Sequence, residues 1–502
     1  MEIPRQAENS KSIARNVLYG FSTWILPLGL SFVATPLIVK SLGNKQYGIY
    51  ALVLSFISYT FVLNFSRALT KYTAEYRSTT ESAKITEIIS ATFLITVALG
   101  LFGVSVICLS ADWLAEFVFQ AEGQDKTTIV TAIYIASSVL FFFILSQTFS
   151  AILQGIHRFD VYSNIFNFNN VATLAGNIFL VIYGFGLLSL LIWNLATNFI
   201  TCILFAISAK RLLPEFKIDF HFKQDVFRLV LKYSAGIVGY QILGNSLILF
   251  ERIWITGKLG AENLTYYVVS MTLGIYIHSF ISSFSQVIFP LASELTNDNE
   301  KLLRLYTKAT KTICFLVVFA ATTLIVESRE FLSIWMGAEF SEKTTVLLII
   351  HTITFSLLAI QTVAWNMTEG LGYPFYNTII FMICLIINVF FIIWLTESYG
   401  NVGIAVGRLA GFGTMFFSIF YVEKWFFNRI QIRFWLKLIS FLTAAALISA
   451  FVQKIIIVNF SINWASLILA TVAGGICYCL TLLVLGFVSA EDKLLLKNLL
   501  NR

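Results

Sequence analysis

Long apolar runs recur from one end of this chain to the other, and little else fits between them. Fourteen can be drawn, over about residues 17–40, 47–70, 86–110, 128–152, 163–184, 187–209, 228–257, 264–290, 311–327, 344–367, 375–396, 401–423, 434–453 and 463–488. A helix needs about 20 apolar residues to cross about 30 Å of hydrocarbon. In lipid the backbone polar groups must be satisfied within the segment, so helices are the default. Barrel strands are about ten residues long and alternate in polarity, which these runs do not. The sequence therefore predicts an all-α polytopic membrane protein of about 14 transmembrane helices. Composition agrees: 12% of residues are charged, against about a quarter in soluble domains. The longest polar loops, about 15–20 residues, are too short to fold alone.

Basic residues set the expected orientation. With the N-terminus placed in the cytoplasm, the inner side collects Arg15, Lys71, Arg158, Lys210, Arg211, Lys217, Lys301, Arg429 and others. The outer side receives Lys40, Lys45, Lys126, Lys258, Arg329, Lys343 and Lys454, an asymmetry of more than threefold. Both termini are thus expected to be cytoplasmic. The net charge of +7 reads as this topology signal and not as a nucleic-acid footprint. The apolar run after Arg15 is too long for a signal-peptide core and lacks a small-residue cleavage site, so it reads as a retained first span. The six cysteines lie in apolar segments and give no disulfide framework. The four histidines show no ligand spacing, so no metal site is expected.

The chain also repeats itself. Lys40-Ser-Leu-Gly-Asn-Lys-Gln-Tyr-Gly-Ile-Tyr50 is answered about 217 residues later by Gly257-Lys-Leu-Gly-Ala-Glu-Asn-Leu-Thr-Tyr-Tyr267. Gly43 aligns with Gly260 and Tyr50 with Tyr267. Further on, Gln154-Gly155 aligns with Glu369-Gly370, and Asn194-Leu-Ala with Arg408-Leu-Ala. The repeat pairs spans 1–6 with spans 7–12. An even number of helices gives both copies the same direction, related by an axis along the membrane normal. The expected division is an N-lobe over 1–209, a cytoplasmic linker over 210–227, a C-lobe over 228–425, and two extra helices with a cytoplasmic tail over 426–502. Repeats of this kind mark transporters built from two bundles.

These residues resemble a known family. Lys40–Tyr50 is similar to the Leu-Gly…Tyr-Gly signature after the first helix of polysaccharide exporters. Glu251-Arg-Ile-Trp-Ile-Thr-Gly-Lys-Leu-Gly260 resembles the stretch that closes their seventh helix, and Phe289-Pro-Leu-Ala-Ser-Glu294 the close of their eighth. Asn64-Phe-Ser-Arg67 departs, since the family usually has a Gly there. The family is the Wzx-type flippases of the MOP superfamily, which also holds the MATE drug exporters and the lipid II flippases. The resemblance covers roughly residues 10–425. It implies two six-helix lobes of the MATE-like fold plus the two C-terminal helices, in the inner membrane of a bacterium. It implies a cargo of undecaprenyl-pyrophosphate-linked oligosaccharide, moved from the cytoplasmic to the periplasmic leaflet by alternating access. Such a protein is expected to act as a monomer among membrane lipids, beside polysaccharide-assembly proteins.

Charges inside a bilayer cost about 2.5–3.5 kcal/mol or more and are functional candidates by default. Three basic residues qualify: Arg67, Arg252 and Arg408. Snorkelling to headgroups is the plain alternative for Arg67 and Arg252. Arg408 is flanked by Gly403, Gly407, Gly411 and Gly413, which suit close helix packing and a face turned to protein. Guanidinium forks bind phosphate oxygens bidentately, so Arg408 and Arg252 are expected to face an inter-lobe cavity and draw in the pyrophosphate. Glu251, the deepest acid, is the candidate for proton or Na⁺ coupling, and a structural ion pair with Arg408 or another helix is its alternative. The amides Asn194, Asn198, Gln241 and Asn245 can bind sugar hydroxyls or can hydrogen-bond between helices. Pro27 and Pro36 remove backbone bonds from the first span and suit a bent gating helix. No nucleophile–base pair, ATP motif or cofactor site is visible, so a transporter driven by an ion or substrate gradient is expected, not an enzyme. Two alternatives stand. A MATE-type multidrug or cation exporter would want acids in the N-lobe spans, where none lies deep. A membrane-embedded polysaccharide polymerase or glycosyltransferase would want a large outer loop with catalytic residues.

Overall fold

The computed structural model describes residues 23, 25–60, 66–77, 82–213, 216–219, 224–285, 288, 292 and 298–487, and every regular element among them is helical. The first helix is α1 (Ile25–Leu42). Then follow α2 (Asn44–Ser55), α3 (Ser66–Arg77), α4 (Ser82–Trp113), α5 (Gly123–Gly155), α6 (Phe159–Ile182), α7 (Leu187–Leu212) and α8 (Gln224–Leu259). After them come α9 (Ala261–Ser285), α10 (Asn299–Val326), α11 (Ser328–Trp335), α12 (Ala338–Gly370), α13 (Pro374–Gly413), α14 (Phe417–Tyr421), α15 (Ile432–Asn459) and α16 (Trp464–Val484). The predicted all-α membrane architecture is therefore the observed one.

Eleven segments among the described residues are long and apolar enough to cross a membrane. One of them, Phe375–Phe426, is two helices, because Gly400 (φ 53°, ψ −132°) reverses the chain within α13. The other two expected spans are α8 and the α2–α3 stretch. α2 runs into a π-type turn at Phe56–Thr60.

The two arms of α13 pack antiparallel through glycine. A Cβ on Gly403 would lie 2.3 Å from the Leu395 carbonyl oxygen, and one on Gly407 2.8 Å from the Ile392 nitrogen. One on Gly411 would lie 2.6 Å from Asn388 Cβ, whereas Gly413 has nothing within 4 Å. Three of the four glycines around Arg408 thus do what their spacing suggested.

Glycines aligned by the repeat share a backbone conformation. Gly43 (φ 78°) and Gly260 (φ 90°), aligned in sequence, both take the left-handed conformation. Each separates two helices, α1 from α2 and α8 from α9. A side chain there would cost about 1–2 kcal/mol. Gly155 and Gly370, also aligned, each end a helix.

The chain divides into two compact units, Met1–Thr265 and Tyr266–Arg502. The division falls inside α9, one helix later than the repeat boundary, because α8 packs on α2, α3 and α4. The first unit is centred on Ala68, Leu69, Ile85, Ile89, Ile152 and Leu153 from α3, α4 and α5. The second is centred on Ile281, Leu302, Tyr306, Val363, Met367 and Val422. Within it, α15 and α16 pair with each other and lie on α10. Tyr478 Oη donates to the Phe315 carbonyl (3.0 Å) and Gln453 Nε2 to Thr323 Oγ1 (3.1 Å). The outward faces of this pair expose Leu447, Phe451, Val458, Ile468, Leu480 and Val484. Apolar patches this large are not kept in water, and they suit lipid.

Candidate functional site

In the first unit the polar residues tie helices together. Tyr50, at the end of the Leu-Gly signature, is buried on α2. Its hydroxyl accepts from Asn177 Nδ2 (3.1 Å, α6) and Asn194 Nδ2 (3.0 Å, α7), and Asn177 Nδ2 also donates to Asn194 Oδ1 (3.2 Å). Asn198 Nδ2 donates to the Asn194 carbonyl (2.8 Å). Nearby, Thr201 Oγ1 donates to Asn169 Oδ1 (3.0 Å) and Trp193 Nε1 to the Ala172 carbonyl (2.9 Å). Asn194 thus bonds across helices, whereas Asn198 bonds back within its own helix. In a site without water each such bond replaces an unsatisfied buried group.

Arg252 stands on α8 against α2. Its Nη1 donates to the Ala51 carbonyl (3.1 Å) and to the Ser55 hydroxyl, just before the π-type turn. Glu251, one residue earlier, is buried about 100° away around the helix. Gln241 and Asn245 are half-buried on α8. α2 is further fixed where Gly48 meets the Ala261 carbonyl: a Cβ there would sit 1.7 Å from that oxygen. Thr265 Oγ1 donates to the Asn44 carbonyl (2.6 Å). α1 runs as helix through both Pro27 and Pro36. Arg67 lies on α3, and its side chain falls outside the described residues.

The second unit holds Arg408, 2% exposed. Its guanidinium lies over the rings of Phe355 (5.6 Å to centroid) and Phe412 (5.4 Å). Two aromatic faces offer a buried cation a quadrupole in place of water, worth about 2 kcal/mol when desolvated. Phe355 also touches the His351 ring (6.4 Å between centroids), and His351 meets Tyr267 edge to face (4.7 Å). Gly274 on α9 permits this approach, since a Cβ there would lie 3.0 Å from the His351 backbone.

The two polar centres correspond through the repeat. Tyr50 and Asn194 in the first unit stand at the positions of Tyr267 and Arg408 in the second. One copy has a neutral amide bonded to its tyrosine; the other has a guanidinium held over aromatic rings. Sequence reasoning paired Tyr50 with Tyr267 but gave neither a role, and it passed over Phe355 and Phe412. The signal for the tyrosines was present, because both end the repeated motif. The phenylalanines had none, being two of forty-eight that look alike in one dimension. His351 is one of the four histidines without ligand spacing, and nothing in the sequence tied it to Arg408. Among the described residues no three His, Cys, Asp or Glu side chains group as metal ligands.

Comparison with known proteins follows the same lines. Residues 37–345 match the family described as polysaccharide biosynthesis protein. A Shigella flexneri protein named for O-antigen transport is 20% identical over 405 residues, covering 79% of this chain and 94% of its own. Among solved structures, the lipid II flippase MurJ has a TM-score of 0.73 at 16% identity, covering 94% of this chain and 99% of that one. A multidrug-resistance MATE transporter of the MOP superfamily has a TM-score of 0.65 at 12% identity, covering 82% and 95%. The relatives are transporters and flippases, not enzymes, and the fold is that of the MOP superfamily. With more than half its length matched, the chain belongs to the polysaccharide biosynthesis protein family of membrane transporters.

Proposed function

We propose that this protein is a flippase for an undecaprenyl-pyrophosphate-linked oligosaccharide, working by alternating access in the bacterial inner membrane with both termini in the cytoplasm. The observation that carries the reading is Arg408. A guanidinium 2% exposed in the apolar interior of a membrane protein is costly to hold, and its repeat counterpart Asn194 shows that the fold itself needs no charge at that position. A permanent cation at one copy only suits an anionic cargo. Family membership and the O-antigen name of the Shigella flexneri relative support the polysaccharide class. The likeness to MATE transporters concerns the fold, and a drug-cation exporter would be poorly served by a buried arginine.

In this reading Arg408 and Arg252 attract the pyrophosphate, Gln241 and Asn245 contribute hydrogen bonds on the Arg252 helix, and Arg67 meets the cargo near a membrane face. Glu251 carries the coupling proton or Na⁺. The test is transport by Arg408→Ala, Arg408→Lys and Arg252→Ala in cells that insert each variant normally. Arg408→Ala is expected to lose nearly all transport and Arg408→Lys part of it, because an ammonium cannot make the bidentate contact. Wild-type rates in Arg408→Ala and Arg252→Ala would overturn the assignment.

A further inference from the structure

A second buried acid lies away from these arginines. Glu327 sits between α10 and α11 and is 6% exposed. Its two carboxylate oxygens accept from one hydroxyl, Thr471 Oγ1 on α16, at 3.0 and 3.2 Å. No lysine or arginine among the described residues forms an ion pair with it. A groove of about 370 Å³ runs beside it, walled by Ile277, Phe319, Leu324 and Phe331. The neighbouring charges are mostly the wrong sign or spent elsewhere. On α11, Glu330 is a second carboxylate, and its Oε1 takes Lys454 of α15 at 3.2 Å. Arg329 is exposed. On α9, His278 shares a hydrogen bond with Ser282 (3.2 Å). On α12, Lys343 pairs with Glu339 (3.5 Å). α16 contributes only Thr471.

We propose that Glu327 is a proton-binding site whose neutral form seats the α15–α16 pair on the end of α10 and whose charged form loosens it. The geometry gives the reason. The Thr471 hydroxyl has one proton to share between two carboxylate oxygens, so a charged Glu327 is under-solvated in an apolar groove, next to a like charge. A protonated Glu327 donates its own proton and needs no counter-ion. The sign follows by linkage: a folded state that favours the neutral carboxyl binds the extra proton, so its stability falls as pH rises. The contacts that share the load are Gln453–Thr323 and Lys454–Glu330 on α15 and Trp464 against Phe331 on α16. This inference is independent of the cargo and can fail without touching the flippase reading.

The experiment is thermal unfolding of the purified full chain in detergent between pH 5.5 and 8.5. The wild-type midpoint should fall as pH rises and level off once Glu327 is charged. Glu327→Gln, a neutral isostere, should hold the acid-side plateau throughout. Two further variants move the inflection in opposite directions. Glu330→Gln removes the like charge and should lower it, and Thr471→Val removes the donor that favours the carboxylate and should raise it. A Glu327→Gln protein that keeps the wild-type slope overturns the proposal. If that variant does not fold, unchanged inflections in both Glu330→Gln and Thr471→Val overturn it.

Discussion

Replacing Gly403 with alanine should destabilise this protein even though alanine is the better helix former. The new Cβ would sit 2.3 Å from the Leu395 carbonyl oxygen, where ordinary contact begins at 3.4 Å. The arms of α13 would have to part by about 1 Å, and the obstacle is backbone, which no rotamer change removes. They cannot part easily so close to their pivot, since helix resumes on both sides of Gly400. Overpacking of this kind costs about 1–3 kcal/mol. The helix-propensity gain from Gly to Ala returns about 1 kcal/mol. Because the clash is with backbone, the net expected loss is about 1–2 kcal/mol. Gly413→Ala is the internal control: same helix, same substitution, nothing within 4 Å. It should be neutral or more stable by up to about 1 kcal/mol. Equilibrium unfolding by steric trapping in bicelles reads both. If Gly403→Ala proves as stable as Gly413→Ala, the packing account of the glycines around Arg408 is wrong.

Two other perturbations bear on the polar centres. Tyr50→Phe removes the acceptor for both asparagine amides and should cost about 1–3 kcal/mol; a double-mutant cycle with Asn194→Ala should give a coupling of about 0.5–3 kcal/mol, and a coupling of zero would contradict the network. Glu423, buried at the foot of α15, accepts from Tyr306 Oη (2.8 Å), Trp435 Nε1 (2.6 Å) and the Gln431 backbone N–H (2.7 Å). Glu423→Gln turns one acceptor into a donor and should lower unfolding stability by about 1–3 kcal/mol, while an unchanged midpoint would show that these bonds do not hold α10 and α15 together.

The sequence carried the fold because the bilayer leaves few choices. Run length alone separates helices from strands there, and an internal repeat fixes which helices correspond. Gly43 and Gly260 were legible as a pair because a left-handed residue between two helices calls for glycine in both copies. The Gly403, Gly407 and Gly411 stripe was legible for the same reason, that only one residue lacks a Cβ. The candidate site was half legible. Arg408 stood out because the glycines around it turn its face to protein, where snorkelling to headgroups is not open to it. Its aromatic partners did not, because a phenylalanine facing lipid and one facing a guanidinium read alike. The amides were ambiguous in principle: Asn194 and Asn198 satisfy helices, and their spacing fits a sugar site as well. The compact division after Thr265 could not be read either, since the repeat gives relatedness and says nothing of which bundle α8 packs on.

The central claim is that this chain moves an anionic, lipid-linked sugar across a bilayer. The direct measurement uses purified protein in proteoliposomes that carry an undecaprenyl-pyrophosphate oligosaccharide, scored by a membrane-impermeant sugar-modifying reagent. The account predicts protein-dependent exposure of the inner-leaflet pool, abolished by Arg408→Ala and absent for an uncharged undecaprenyl glycan of the same sugars. Exposure no faster than in protein-free vesicles, or equal movement of the uncharged glycan, would contradict it.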